Sequence, residues 1–116
     1  MLNHQTDIGT VTISSAVLTN ITGAAATSCF GVKGMADCSV TDGIVHLLRR
    51  EAMSKGVKVL YNEDESISIE LHIIVENGVN IPVLSESITN QVRYIVEKTT
   101  GARVAEVDVF VDSMTL

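Results

Sequence analysis

From Ile67 to Val75 every odd-numbered residue is apolar: Ile67, Ile69, Leu71, Ile73 and Val75. The even-numbered residues between and beside them are Ser66, Ser68, Glu70, His72, Ile74 and Glu76. A period of two fits a β-strand with one buried face and one of a different character. A slip of one residue would exchange the two faces, so this segment pins the register of any sheet it joins. It therefore constrains the fold more than any other part of the chain.

The flanking residues extend the pattern. Val57, Val59 and Tyr61 form one face of a preceding strand, and Asn62-Glu63-Asp64-Glu65 reads as a hairpin turn between the two. Asn77-Gly78 is a second turn. Pro82 fits the first turn of a helix, where its missing N–H does no harm. Leu84, Ile88, Val92, Ile95 and Val96 give that helix a buried stripe, and Gly101 ends it. Val104 to Asp112 is the last strand, with Ala105, Val107, Val109 and Val111 inward.

Upstream, Val11 and Ile13 alternate with Thr10 and Thr12 in a short strand. Ser14 or Ser15 can cap a helix, in which Val17, Ile21, Ala24 and Ala25 make a narrow stripe. The run Gly23-Ala24-Ala25-Ala26 has almost no side-chain bulk. Since Gly costs about 1 kcal/mol against Ala inside a helix, close packing against a sheet or another helix is the better reason for it. Phe30 to Thr41 reads as a loop, and Ile44 to Met53 as a short helix. The order is β-α-(α)-β-β-α-β. The fold class is α+β: a single domain over 1–116, a two-layer sandwich with helices on one face of a mixed sheet. The strands are expected at 10–14, 57–62, 66–76 and 103–112, and the helices at 15–28 and 82–100.

The 116 residues suffice for a core that hides roughly 65% of the unfolded surface. Fourteen acidic residues against eight basic ones give a net charge of −6, which argues against nucleic-acid and anionic-lipid surfaces. The N-terminus has no basic, then apolar, leader pattern, and no apolar run reaches the ~20 residues of a membrane span. Cys29 and Cys38 are the two thiols. A reducing cytoplasm with both unbridged is the expected setting. No nucleophile, metalloprotease or phosphate-loop motif is present, so no catalytic residue, cofactor or metal is expected.

Three groups of residues are candidate sites. Gly31, Lys33 and Gly34 form a Gly-x-x-Gly, a pattern that clamps a nucleic-acid backbone in KH domains; the plain alternative is a loop with two positive-φ glycines. His72, Glu70, Glu76, Glu106 and Asp108 share a polar sheet face, but neighbours two apart on a strand stand roughly 7 Å apart and do not converge on a metal. Leu60, Ile74, Val104 and Phe110 all have even numbers, opposite the core stripe. Exposed together they would form an apolar patch suited to self-association or a protein partner. Cover by the segment from Ile44 to Met53 is the alternative.

Several blocks carry a family resemblance: Gly9-Thr10-Val11-Thr12-Ile13-Ser14, Gly31-Val32-Lys33-Gly34-Met35, Gly56-Val57-Lys58-Val59, Ile69 to Val75, Gly78-Val79-Asn80-Ile81-Pro82, Thr100-Gly101 and Val107-Asp108-Val109. From Ile8 to Asp112 the chain resembles the alkaline shock protein family, also called the envelope stress response family of Gram-positive bacteria. The resemblance implies a non-catalytic scaffold tied to cell-envelope or alkaline stress. It also implies a cytoplasmic homo-oligomer, recruited to the inner face of the membrane by a separate membrane-anchored protein and not itself inserted. Longer members carry charged or low-complexity extensions that these residues lack, so a domain-only member is the expectation.

Overall fold

The computed structural model describes residues 2–35 and 56–115. The helix expected from Ile44 to Met53 lies outside them, as does Cys38. The described elements run β1 (Leu2–Thr6), β2 (Gly9–Ile13), α1 (Ser15–Thr27), β3 (Val32–Met35), β4 (Val57–Tyr61), β5 (Ser66–Val75), α2 (Ile81–Thr100) and β6 (Arg103–Met114). The architecture is the expected α+β class, with a mixed sheet and helices on one side of it.

β5 is the spine. It pairs antiparallel with β4 over its first half and with β3 over its second, so those two strands share one of its edges. Its other edge pairs in parallel with β6 along its whole length. A parallel neighbour needs a long crossover, and α2 supplies it. α1 lies over β3 and β4, α2 lies over β6, and the helices touch each other. The five odd residues of β5 lie beneath them, all buried, with Leu18, Leu84, Ile88, Val92 and Val96 packed above. Each fully buried aliphatic side chain contributes about 1.5–3 kcal/mol, so this layer drives folding.

Local chemistry explains the boundaries. Ser14 is the residue that caps α1, its Oγ accepting from the Val17 amide at 3.4 Å. Asn80 caps α2 by accepting from the Val83 amide at 3.2 Å. Gly101 closes α2 in the left-handed region, at φ 75°. The turn between β4 and β5 is tied by Asp64: its Oδ1 accepts from the Ser66 hydroxyl at 2.6 Å and from the Ser66 amide at 3.2 Å. Those bonds hold the Asp64 carboxyl below the usual carboxylate range, with a smaller contribution from Arg103.

Three expectations need correction. The strand at 10–14 does not join the main sheet. It pairs with Leu2–Thr6, forming a separate antiparallel hairpin, β1–β2, with Leu2 opposite Ile13 and Thr6 opposite Gly9. Only the base of this hairpin, at Leu2 and Ile13, packs against the core. Its tip projects, leaving Ile8 99% exposed. The fourth strand of the main sheet is β3, inside the stretch expected to be a loop. Finally, α1 is rotated from its expected orientation. Leu18, Thr22, Gly23, Ala25 and Ala26 are buried, whereas Val17 and Ala24 are exposed. A helix this poor in large apolar residues gives its pattern little directional signal, so packing against α2 and the sheet sets the orientation.

Candidate functional site

The even-numbered side of β5 is the candidate site. Paired residues stand in rows across the strands. Leu60, Ser68 and Glu106 form the first row, and Lys58, Glu70 and Asp108 the second. His72 and Phe110 form the third; Gly34, Ile74 and Ser113 form the fourth. Successive rows on one face are spaced by roughly 7 Å. Leu60 is 48% exposed and Phe110 44% exposed, while Ile74 is half-buried.

Val104 is not part of this surface. It is only 4% exposed and belongs to the core. The register explains why. Ile67 pairs with Val104 but Ser68 pairs with Glu106, so Ala105 is an extra residue in a β-bulge. One extra residue inverts the alternation on the bulged strand. Before the bulge the even residue points inward; after it Val107, Val109 and Val111 do. Ala105, expected inward, is exposed. A second shift between Ile73 and Ile74 sets Asp112 beside the fourth row.

That second bulge helps build a contact no sequence spacing announces. His72 Nδ1 lies 2.9 Å from Asp112 Oδ2, and His72 Nε2 lies 3.2 Å from Glu70 Oε2. The Phe110 ring stacks on the imidazole, with centroids 4.8 Å apart and planes 10° from parallel. Burial lowers the His72 pKa, but the hydrogen bonds and charges of Glu70 and Asp112 outweigh it, and the net shift is upward. A neutral imidazole has one N–H; only the charged ring donates to both carboxylates at once. The arrangement favours the charged imidazolium over the neutral ring. It does not resemble a nucleophile or a general base, because both ring nitrogens are committed.

The other candidates are dispersed or differently shaped. Gly31 has φ +96°, but Gly34 lies within β3 and is not in the left-handed region. The Gly-x-x-Gly is thus a turn running into a strand. Lys33 forms an ion pair with Glu76 at 3.4 Å. Gly31 serves packing: a Cβ there would stand 2.9 Å from Val79 Cγ1. This close approach brings the Gly78–Pro82 block against the end of α1 and shapes a groove of about 570 Å³, lined by Phe30, Val79, Val83 and Leu84 among others. Phe30, 90% exposed, stands at that groove, which the sequence reading did not find. A more polar hollow of about 420 Å³ lies between the first hairpin and the β4–β5 turn, with His4, Asn62, Asp64 and Arg103 in its wall. Arg103 is already paired there with Asp64 at 2.9 Å. Cys29 follows α1 and is half-buried; burial raises its thiol pKa, partly offset by a hydrogen bond with Ser87. Among the described residues, no group of three His, Cys, Asp or Glu side chains converges as metal ligands, and no helix is long and apolar enough to cross a membrane.

Comparison with known proteins adds a second line of support. The model of the alkaline shock protein 23 family, of cell envelope-related function, matches residues 3–116. YloU of Bacillus subtilis (strain 168) is 35% identical over 111 residues, which span 95% of this chain and 92% of that one. A protein of Streptococcus pyogenes serotype M6 is 34% identical over 107 residues, or 91% of this chain and 88% of the relative. YqhY of Bacillus subtilis is 30% identical over 111 residues, or 96% and 81%. No solved structure matches the chain. The chain belongs to the alkaline shock protein 23 family, a family of cell envelope-related function.

Proposed function

We propose that this protein is a non-catalytic interaction module of the cell-envelope response. It self-associates and docks to an envelope-associated protein from the cytoplasmic side. The sheet face opposite the helices supplies the docking contact, through Leu60, Ile74 and Phe110. The observation that carries this reading is the exposed Phe110 next to half-buried Ile74, with Leu60 exposed two rows away on the same face, on a sheet whose other side carries the core. Singly exposed apolar residues are ordinary, but several on one face of a sheet mark an interaction surface. The family's link to the envelope gives that surface its setting.

The test is the double substitution Ile74→Glu with Phe110→Glu. Circular dichroism should show the fold retained. Capture of solubilised membrane proteins should show the loss of the bound partner. A double variant that keeps its partner removes this face as the docking interface.

A further inference from the structure

The charge on the same face says which kind of partner it takes. Glu70, Glu106, Asp108 and Asp112 all lie on or beside the four rows, against Lys58 and the imidazole of His72. His72 is occupied with Glu70 and Asp112. Glu106 and Asp108 are exposed on β6, in the two rows before that of the exposed Phe110 ring. Leu60 shares the row of Glu106. Exposed apolar and anionic side chains therefore share one sheet face, with Glu106 and Asp108 in the first two rows and Phe110 and Ile74 in the last two.

We propose that this face binds a partner segment that carries both basic and apolar side chains. The inference rests on the docking role assigned above and names the chemistry of the partner. The apolar side chains would cover Leu60, Ile74 and Phe110, while Lys or Arg side chains meet Glu106 and Asp108. Gly34 leaves room in the fourth row, since a Cβ built there would meet nothing within 4 Å. A second copy of this chain is a poorer occupant. It would bring the same carboxylates to the contact, and like charges set against one another suppress a wrong partner. The outer edge of β6 is also ill suited to pairing with its own copy. It carries two bulges and acidic side chains, features that blunt strand edges. Self-association then belongs to another surface.

The experiment uses the full chain, isotope-labelled, and two synthetic peptides with leucine at alternate positions. One carries lysine between the leucines and the other glutamate. Amide shifts are followed by NMR. The lysine peptide should perturb residues 68–74 and 106–112 and bind at least tenfold more tightly than the glutamate peptide. Raising salt from about 0.1 M to about 1 M, which shortens the screening length from ~10 Å to ~3 Å, should weaken it several-fold. Each exposed charge pair accounts for roughly 2–5-fold in affinity, so Glu106→Gln with Asp108→Asn should cost about 5–20-fold. These two residues are exposed, so the variant keeps its fold. Equal binding of both peptides overturns the cationic partner and leaves the apolar docking face standing. Shifts confined to the Phe30 groove, or none with either peptide, overturn both. A salt-insensitive dimer whose contact shifts fall on Leu60 and Phe110 overturns this inference in favour of a second copy.

Discussion

The two sides of the β5 strand share one backbone and have little else in common. On the helix side Ile67, Ile69, Leu71, Ile73 and Val75 form an unbroken aliphatic row under α1 and α2. On the other side serine, glutamate, histidine and isoleucine stand in sequence, tied by side-chain hydrogen bonds. Asn62 Nδ2 donates to Ser66 and Ser68 hydroxyls at 3.0 Å each, and Glu70 and Asp112 hold His72. The first side is governed by volume and the second by geometry. Mutations should divide accordingly.

The largest effect is expected on the covered side. Leu71→Ala or Ile69→Ala removes a fully packed side chain and should cost about 2–5 kcal/mol in denaturant unfolding. A loss below about 1 kcal/mol would mean that the helices do not seal this face. Gly31→Ala comes next. It combines a left-handed backbone with a contact at 2.9 Å, and should cost about 1–3 kcal/mol. Adding Val79→Ala should relieve the contact but not the backbone strain, so the double variant separates the two causes.

A smaller change of opposite sign is expected at Thr22. Its hydroxyl is fully buried and is the one such side-chain atom among the described residues that lacks a hydrogen-bond partner. Thr22→Val keeps the shape and removes the orphan donor, and should raise stability by about 1 kcal/mol. Destabilisation would show that the hydroxyl has a partner in solution.

On the other side the expected effects are electrostatic and smaller still. Because the folded pKa of His72 lies above its ordinary value, its stabilising contribution is fully present below about pH 6.5 and is lost as pH rises through the folded value. Urea midpoints of the protein and of His72→Gln, compared at about pH 6 and about pH 9, should differ more at the lower pH. A parallel pair of pH profiles would remove His72 from the balance. At the bottom of the scale, Leu60→Ser should change stability by no more than about 0.5 kcal/mol, because its side chain is half in solvent. A larger loss would assign Leu60 to the folded core.

Local pattern carried the sheet spine and α2. Their periods of 2 and 3.6, the Asn62–Glu65 turn and the Gly101 stop each depend on nearby residues alone. The face that bears Leu60, Ile74 and Phe110 followed from the same parity. α1 was less readable, since glycine and alanine give a helix no strong apolar direction. The first hairpin was half read: Thr10 to Ile13 alternates clearly, but Leu2 to Thr6 shows no alternation of its own and becomes a strand through pairing.

The amino-acid sequence by itself determined which residues of β5 and α2 are apolar, where those elements turn, and the acidic balance of the surface, because these depend on neighbours in the chain. Only the tertiary structure decided that Val104 belongs to the core, that β3 completes the sheet, and that His72 sits between Glu70 and Asp112 under Phe110. The physical reason is the same in each case. A bulge shifts register by one residue, and the partner of a short edge strand or of a histidine 40 positions away is chosen by pairing across the sheet.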